Sequence, residues 1–336
     1  MIFIFTNKED AHPNPVIDIL VERGAPFFRL NTDALLTDYS FVWWKDRVGV
    51  DFEVTDLTNG KKCRGSRIKS IWDRRPEAPS SLPLTNTKEI DRHNLMEAHG
   101  FLSFLRYYVK DLPSIGSIVG DRVAASKMLQ CLVSQKIGLT VPDTVYSNRK
   151  DDFLRLCGRF PRICLKSIVS SDVWDEYYGV DYVFYTQVLD SETVKDIPEE
   201  AFIQTVSFAQ EYVPKAFELR VTVVGVGEDS HVFATRIDSQ KLAPDEGGID
   251  WRQGYDHGME LSTFDLPMDI AEKCTSLVHA LDLNFGCIDL IVRPDGEYVF
   301  LECNPNGQWL WIELATGQRI SAAIAEFLMD EHRRNK

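Results

Sequence analysis

The sequence lacks the motifs that would support a disulfide framework, a zinc site or a membrane span. Its seven cysteines stand singly with no CxxC pair, and its seven histidines form neither HxH nor HExxH. Such sites need closely spaced cysteines and histidines, so we expect reduced thiols in the core. No apolar run reaches membrane-spanning length and no signal peptide begins the chain, which predicts a cytoplasmic protein without a membrane partner.

Positive charge is also scarce. The chain has 37 Lys and Arg against 51 Asp and Glu, a net charge of −14 at pH 7. Nucleic-acid binders carry a basic patch, so we expect no nucleic-acid partner. A pocket for phosphates or carboxylates must then be made locally positive by a few placed Lys and Arg residues. With 336 residues and 44% hydrophobic content, the chain can form a large core in two or three domains.

Helical and strand-like patterns predict a protein of the α/β (α+β) class in three parts. A strand–helix–strand opening predicts a small α/β domain over residues 1–115, with a long helix at 91–110. A second α/β segment follows over residues 116–207, and its first helix is expected to run unbroken over 120–138. Residues 208–336 form a third, strand-rich part.

The most informative stretch is a predicted hairpin near the C-terminal end. Strand-forming residues flank a turn signal at residues 294–296, Pro-Asp-Gly. With the turn centred between Pro and Asp, Val292 pairs with Glu297, and Phe300 lies opposite Asp289. Because side chains alternate along a strand, one face is expected to form core. That face carries Ile288, Leu290, Val299, Leu301 and Cys303.

The other face of the predicted hairpin is polar. It carries Asp289, Glu302 and Asn304. Two carboxylates and an amide oxygen are hard ligands of the kind that Mg²⁺ takes in proteins. The alternative is a hairpin with an ordinary polar outer face. We favour the metal site, because a solvated face rarely lacks Lys and Arg while it places Asp, Glu and Asn together.

Two lysines stand out in the middle of the chain. Lys166 ends the apolar strand 162–166, where a buried amine is costly unless it meets an anion. We therefore expect Lys166 to be functional. Lys127 lies inside the helix predicted over 120–138. A solvated helix face is the alternative for Lys127 when it is considered alone.

Three arginines and a short extended segment follow. The segment can offer backbone N–H and C=O groups to an adenine edge, as a hinge between domains; it consists of Gln210, Glu211, Tyr212 and Val213. The next strand carries Glu218 and Arg220 on one face, and Arg236 and Arg252 come later. One arginine alone is more often in a surface ion pair. Three in this span of an acidic protein predict a pocket for phosphates and carboxylates.

In combination and in this order, these residues resemble the ATP-grasp superfamily of carboxylate ligases, over most of the chain beyond residue 116. Within that superfamily the chain is most similar to the graspetide synthetases, the microviridin-type peptide ligases. The carrying segments are Phe28-Arg-Leu-Asn-Thr-Asp33, Trp72-Asp-Arg-Arg-Pro76, Arg236-Ile-Asp-Ser-Gln240 and Leu301-Glu-Cys-Asn-Pro-Asn-Gly-Gln-Trp309.

The resemblance implies an ATP-grasp fold with a central domain and a C-terminal antiparallel-sheet domain for nucleotide and metal. It implies a ligase that uses ATP and Mg²⁺ to phosphorylate Asp or Glu side chains of a ribosomal precursor peptide. The enzyme would then close macrocyclic esters or amides onto Ser, Thr or Lys, releasing ADP and phosphate. A ligase for a small amino acid or a protein C-terminus is one alternative, and a non-enzymatic nucleotide-binding module is another.

The resemblance also assigns roles to the residues above. Lys127 and Lys166 would bind the α- and β-phosphates, and the hinge with Glu218 would complete the nucleotide site. The γ-phosphate and the substrate carboxylate would face Arg220, Arg236 and Arg252. We expect the peptide's leader segment to dock at residues 170–205, and the protein to be a homodimer. A Gly-rich phosphate lid is absent from 167–179, so no lid contact is assigned.

Overall fold

Five β-sheets and the helices between them make up the computed structural model over the described residues. These are residues 1–330 apart from 84–85, 119, 170–171, 176–179 and 226. Within them, no helix is both long enough and apolar enough to cross a membrane. The division of the chain at residues 115 and 207 stays a proposal, because helices from the C-terminal end also pack against the N-terminal sheet.

The N-terminal part combines a parallel and an antiparallel sheet. Its elements are β1 (Ile2–Thr6), α1 (Pro13–Glu22), β2 (Phe27–Asn31), α2 (Leu35–Asp38), β3 (Tyr39–Lys45), β4 (Val50–Asp56), β5 (Lys62–Arg64), β6 (Ser70–Asp73), α3 (Lys88–Tyr108) and β7 (Ser114–Ile115). The parallel sheet has the order β2-β1-β6-β7, and β3, β4 and β5 form an antiparallel sheet.

Strand β1 lies at the centre of the N-terminal part and is buried on both faces. Phe3 and Phe5 face the cluster that includes Leu102 of α3. Ile2 and Ile4 face the opposite way, into a second apolar cluster. Alternation of side chains across a strand explains why this parallel strand is a continuous apolar run.

The central part carries a four-stranded antiparallel sheet and a two-stranded one. Its elements are α4 (Gly120–Ala124), α5 (Lys127–Ile137), β8 (Thr144–Ser147), α6 (Lys150–Arg159), β9 (Ile163–Lys166), β10 (Asp172–Asp175), β11 (Val180–Val183), β12 (Gln187–Leu189), α7 (Ser191–Asp196), α8 (Glu199–Ile203) and β13 (Ser207–Glu211). The larger sheet has the order β12-β9-β13-β8, and β10 pairs with β11.

The prediction of one unbroken helix over 120–138 is wrong. The helix stops after Ala124, and a new helix begins at Lys127. Ser126 is the N-cap of α5, and its Oγ accepts a hydrogen bond from the backbone N–H of Leu129. Serine is favoured at this position because its hydroxyl satisfies an otherwise unbonded N–H of the first turn. Lys127 therefore stands at the start of a helix and not inside one.

The C-terminal part is built on a five-stranded antiparallel sheet. Its elements are β14 (Phe217–Val224), β15 (His231–Ile237), β16 (Leu261–Thr263), α9 (Met268–Ala280), β17 (Phe285–Val292), β18 (Tyr298–Asn304), α10 (Leu310–Thr316) and α11 (Ile320–Met329). The strand order is β16-β15-β14-β17-β18. Helix α9 covers one face of this sheet through Cys274 and Leu277. Ile320 and Ile324 of α11 reach back to the N-terminal cluster that contains Ile2 and Ile4.

The predicted hairpin is confirmed, but its predicted register is wrong. Val292 pairs with Tyr298 instead of Glu297. A β-bulge then shifts the register again, so Leu290 pairs with Phe300 while Asp289 pairs with Glu302. A bulge places two residues of one strand against one of the other and turns the following side chains to the other face.

The different register changes which side chains form core. Phe300 was predicted on the polar face, yet it is fully buried in the cluster under α9. Val299 and Leu301 were predicted on the core face, and they lie instead in a small cluster with Val213. The prediction for Ile288, Leu290 and Cys303 as core residues is confirmed.

Candidate active site

A cavity of about 710 Å³ lies between the central sheet and the C-terminal sheet. It gathers almost every residue that the sequence analysis singled out. Among the predicted site residues, those lining it are Lys127, Lys166, Gln210, Glu211, Tyr212, Val213, Glu218, Arg220, Arg252, Asp289, Glu302 and Asn304. Arg236 is the exception.

Asp289 and Glu302 lie directly opposite each other on β17 and β18, and Arg220 of β14 pairs with Asp289 from the other side. Nη1 of Arg220 is 3.0 Å from both carboxylate oxygens of Asp289. Burial and the negative charge of Glu302 raise the pKa of Asp289 to about 7, against the opposing charge of Arg220. Proximity to a second carboxylate is what a metal-binding pair requires.

Glu302 has the opposite electrostatic environment. Its carboxylate lies 3.2 Å from Nζ of Lys127 and accepts a 3.1 Å hydrogen bond from the side-chain amide of Asn304. Burial opposes ionisation of Glu302, but Lys127, the Asn304 hydrogen bond and Lys166 together lower its pKa to about 2. Lys127 also donates to the backbone carbonyl of Ser167 at 2.9 Å. Glu302 is therefore an ionised carboxylate facing the cavity.

The donor set of Asp289, Glu302 and Asn304 fits Mg²⁺. All three offer oxygen ligands, and Oδ1 of Asp289 is buried without an aligned hydrogen bond from a described residue. Across the described part of the chain, no group of three or more His, Cys, Asp and Glu side chains is placed to hold a metal ion. The candidate site thus depends on an amide oxygen from Asn304 as its third protein ligand.

Lys166 lies on β9, in the wall that the central sheet contributes to the cavity. Its Nζ donates to Oε1 of Gln210 at 3.0 Å, and Gln210 donates in turn to Oγ1 of Thr144 at 3.2 Å. Burial lowers the pKa of Lys166, and the like charge of Lys127 acts in the same direction, against nearby acidic groups. A buried amine whose nearest hydrogen-bond partner is a neutral amide is well suited to bind an anion such as phosphate.

The predicted hinge continues from β13, which pairs with both β8 and β9. The N–H of Glu211 is bonded to the carbonyl of Asp143 at 2.9 Å, and the N–H of Tyr212 to that of Arg162 at 3.0 Å. These two bonds fix the segment and leave Val213 as the next backbone donor along the hinge. Any adenine contact therefore depends on Val213 N–H and on carbonyl groups of the hinge.

Glu218 has a mainly structural environment within the cavity wall. It accepts a 2.7 Å hydrogen bond from Lys215 and another from the hydroxyl of Ser239. Burial raises the pKa of Glu218 against the opposing charge of Lys215. Lys215 also donates to the carbonyl of Ile249 at 2.9 Å. The pair holds the loop that carries Asp250 against the sheet.

Arg252 is held in a bidentate pair with Asp250. Nε and Nη2 of Arg252 lie 2.8 Å and 2.6 Å from the two oxygens of Asp250. Asp250 also accepts from the N–H and the hydroxyl of Thr186, at 3.1 Å each. Burial opposes ionisation of Asp250, but Arg252 and these hydrogen bonds lower its pKa to about 2. Asp250 raises the pKa of Arg252, so the guanidinium is permanently charged.

The prediction that Arg236 faces the same pocket is wrong. Arg236 pairs with Leu219 across β14 and β15, and directly opposed residues of antiparallel strands share a face. It therefore lies on the opposite side of the sheet from Arg220. Its guanidinium lies 4.0 Å from the centre of the Phe217 ring and 2.7 Å from Asp238. Arg236 forms a local ion pair outside the cavity.

Several residues that line the cavity were not predicted from the sequence. Trp251 and Trp311 stack at 5.3 Å between ring centres, and the guanidinium of Arg220 lies 5.2 Å from the Trp251 ring. Lys215, next to the hinge, and Arg75 were missed as well. Lys215 was visible as a lysine between the hinge and the Glu218 strand. Nothing in the local sequence predicts the Trp251–Trp311 contact, because the two residues meet only through the fold.

Two of the segments that carry the family resemblance contact each other. Arg74 is 1% exposed, forms an ion pair with Asp10 at 3.1 Å, and donates to the carbonyls of Asn306 and Gly307 at 2.7 Å and 3.2 Å. A Cβ at Gly307 would lie 2.4 Å from that of Cys287, so only glycine fits there. The N-terminal part thereby fixes the loop that follows Asn304.

The predicted docking region is only partly described. Residues 170–171 and 176–179 lie outside the described residues, so neither the lid segment 167–179 nor the docking region 170–205 can be assigned as a whole.

The fold and this cavity together define a protein of the ATP-grasp ligase fold. No family model and no curated protein matches the chain, but solved structures do. A RiPP-associated ATP-grasp ligase of Chryseobacterium gregarium superposes with a TM-score of 0.86 at 24% identity, covering 98% of this chain and 96% of that one.

Two macrocyclases of Microcystis aeruginosa are also similar. MdnC has a TM-score of 0.80 at 26% identity, with 97% of this chain and 98% of that one covered. MdnB has a TM-score of 0.75 at 23% identity, with 98% of each chain covered. The predicted ATP-grasp fold and the predicted resemblance to graspetide-type ligases are thus confirmed.

Proposed function

We propose that this protein is an ATP- and Mg²⁺-dependent, ADP-forming ligase that acts on a ribosomal precursor peptide. It phosphorylates Asp or Glu side chains and closes macrocyclic esters to Thr or Ser, or amides to Lys. The observation that carries the proposal is the direct pairing of Asp289 with Glu302 on the wall of a cavity that also contains Lys127 and Lys166. The solved neighbours support it: the C. gregarium ligase is in complex with ADP and a leader and core peptide, and MdnC with precursor peptide MdnA.

Different residues of the cavity have different roles in phosphoryl transfer. The hinge from Gln210 to Val213 receives the adenine edge, and Lys166 and Lys127 bind the α- and β-phosphates. Asp289, Glu302 and Asn304 would hold Mg²⁺, which would offset the negative charge of the phosphates. Arg220 and Arg252 lie on the same cavity wall, where positive charge stabilises the spreading charge of the transferring group.

The chemical need for ATP follows from the substrate. A carboxylate is a poor electrophile because it would have to expel an oxide. Attack of the carboxylate oxygen on the γ-phosphorus releases ADP and gives an acyl phosphate. A hydroxyl or amine of the same peptide then attacks the acyl carbon, the C–O bond to phosphate breaks, and phosphate leaves. The peptide loses one water per ring, and no covalent enzyme intermediate is required.

Peptide recognition needs a second site. The protein carries a net charge of −14 while the reacting side chains are acidic, so long-range attraction does not bring the substrate in. We propose that a leader segment docks on the central part, within residues 170–205, and positions a variable core segment. A homodimer, a cytoplasmic location and the absence of a nucleic-acid partner stay predictions.

The test is a mass measurement on a candidate peptide. A short reading frame beside the gene, ending in Thr- and Glu-rich repeats, supplies the precursor. With ATP and Mg²⁺ the peptide should lose the mass of water. The leaderless core should react far more slowly, and a leader added as a separate chain should partly restore the rate. Equal rates with and without the leader, or ligation of free amino acids, would favour a small-substrate ligase.

A further inference from the structure

Arg75 differs from the other cations that line the cavity. Most of those cations are matched with a carboxylate of the protein: Arg220 with Asp289, Lys127 with Glu302, Arg252 with Asp250 and Lys215 with Glu218. Arg75 is exposed and lines the same cavity. Among the residues that the structure describes, its guanidinium has neither an ion-pair nor a hydrogen-bond partner.

The backbone at Arg75 is strained. Its φ is +47°, in the left-handed region that residues with a Cβ rarely adopt. The next residue is Pro76, and a residue before proline is driven towards extended conformations. Strain of this kind persists where the surrounding structure imposes it, often at ligand-binding sites.

Contacts on both sides of Arg75 fix its left-handed backbone conformation. The amide of Asn7 donates to the carbonyl of Arg75 at 3.0 Å, and Oγ1 of Thr32 donates to the carbonyl of Glu77 at 2.8 Å. On the other side, Arg74 is buried and bonded to Asp10. Residues 74–77 are therefore anchored before and after Arg75, and the strained conformation is fixed while the guanidinium stays accessible.

Arg75 belongs to a segment beside the candidate metal site, where the transferred phosphate and the peptide carboxylate would meet. Its neighbour Arg74 binds the carbonyls of Asn306 and Gly307, in the loop that follows Asn304. Arg75 thus lies at the N-terminal rim of the cavity, next to the segment that contacts the loop after Asn304, whereas the predicted adenine hinge comes from the central sheet.

We infer that Arg75 binds the side-chain carboxylate of the peptide residue that is to be phosphorylated. A guanidinium forms two parallel hydrogen bonds to a carboxylate, which distinguishes Glu or Asp from the corresponding amides. An arginine already paired with an acid must first exchange partners, and Arg75 need not. The inference rests on the proposed function, because it names the group that this site takes from the peptide.

The experiment measures equilibrium binding of two acetylated, amidated tripeptides, Thr-Glu-Thr and Thr-Gln-Thr, to the protein with Mg²⁺ and ADP. The variants are Arg75→Gln, Arg75→Lys and Arg75→Gly. The matched control is Arg64→Gln, since Arg64 is an exposed arginine of the same N-terminal part, paired with Glu53 outside the cavity. ADP affinity and the melting temperature are measured for each protein.

Wild type should bind the Glu peptide better than the Gln peptide. Arg75→Gln should lose about tenfold to a hundredfold in affinity for the Glu peptide. Arg75→Lys should keep part of the affinity for the Glu peptide, and Arg64→Gln should keep all of it. ADP affinity should be unchanged in every variant. Arg75→Gly relieves the left-handed strain, so it should melt no lower than wild type while losing the same binding.

Two results would overturn the inference: equal Glu-peptide affinity in wild type and Arg75→Gln, or no preference of wild type for Glu over Gln. Failure of the proposed function has a different signature. Glu binding that depends on Arg75, with no ATP-driven loss of water from any peptide, would support the inference and reject the macrocyclase. Macrocyclisation that proceeds normally in Arg75→Gln would support the macrocyclase and reject the inference about Arg75.

Discussion

At the hairpin end of β14, β17 and β18, Arg220 lies 3.0 Å from Asp289 and Lys127 lies 3.2 Å from Glu302. At the N-terminal rim of the same cavity, Arg75 has no acidic partner among the described residues. The first region balances its charges internally, and the second leaves a charge for a ligand. Both regions line one continuous cavity.

This difference in charge pairing predicts how substitutions in each region affect stability and activity. Removing one member of a buried ion pair leaves the other charge uncompensated and costs about 3–5 kcal/mol. Substitutions on the hairpin can therefore mix stability with activity, and ligands must displace existing pairs there. At the rim, removal of Arg75 leaves no charge of a described residue without its partner, so its effect should be confined to substrate binding.

The largest effect is expected for Glu302→Gln. The substitution keeps the shape but removes one charge from the metal ligands, so ATP turnover should fall at least about a hundredfold. The side chain of Glu302 is 31% exposed, and Lys127 keeps its bond to Ser167, so folding should survive. ADP release and a thermal melt measure the two quantities.

Asp295→Asn is the control for this variant. Asp295 lies in the turn of the same hairpin, and its side chain is 68% exposed. Its loss should change turnover little. Near-normal turnover in Glu302→Gln would remove Glu302 from the metal site.

The next effect is expected for Lys166→Ala. A charge-assisted contact contributes about 1.5–3 kcal/mol, so ADP should bind about tenfold to a hundredfold more weakly. Calorimetry measures this affinity directly. Lys136→Ala is the control, because Lys136 is exposed in the last turn of α5. If ADP affinity is unchanged in Lys166→Ala, Lys166 has only a structural role.

Much of the hairpin end was predictable because its signals are local. The turn residues predict a hairpin, and Asp289, Glu302 and Asn304 stand out within it. The bulge was not predictable, since Phe300 enters the core under α9 while its N–H bonds to the carbonyl of Thr140. Both contacts come from distant parts of the chain, and together they displace Phe300 from the polar face.

The roles of Arg236 and Arg75 also could not be predicted from the sequence: Arg236 was predicted in the cavity and lies outside it, and Arg75 lines the cavity without having been predicted there. The face that Arg236 occupies depends on the register between β14 and β15, which pairs it with Leu219. That register is set by the connection between the strands and not by the residues around Arg236. Arg75 stood in a segment that carried the family resemblance, yet its lack of an acidic partner among the described residues and its positive φ appear only in the folded chain.

A pair of substitutions separates the two similar ion pairs. Arg252 and Arg236 each bind an aspartate two residues away, but only Arg252 lines the cavity. Arg252→Gln should lower ATP turnover about tenfold, by loss of positive charge at the transferring phosphate. Arg236→Gln should leave turnover close to that of wild type. Steady-state kinetics and melting temperatures of both variants measure this difference. If Arg236→Gln lowered ATP turnover more than Arg252→Gln, Arg236 and not Arg252 would act at the active site.

The smallest effect concerns pH. Burial and the nearby charge of Glu302 raise the pKa of Asp289 to about 7, above its unfolded value of about 3.9. The folded chain therefore holds this proton more tightly, and the contribution of Asp289 to stability declines as pH rises between these two values. Mg²⁺ needs the ionised carboxylate, so binding of Mg²⁺ with ADP should release a proton.

Affinity for Mg²⁺ with ADP should accordingly rise several-fold from about pH 6 to about pH 8, and at most about tenfold, because one group titrates. Glu302, with its pKa at about 2, stays ionised and contributes nothing to this slope. Calorimetry in two buffers of different ionisation enthalpy measures both the affinity and the proton. Asp289→Asn should bind more weakly and show no such slope. If the affinity of Asp289→Asn still rose with pH, another group would be titrating. The assignment of a raised pKa to Asp289 and a lowered one to Glu302 would then not explain the pH dependence.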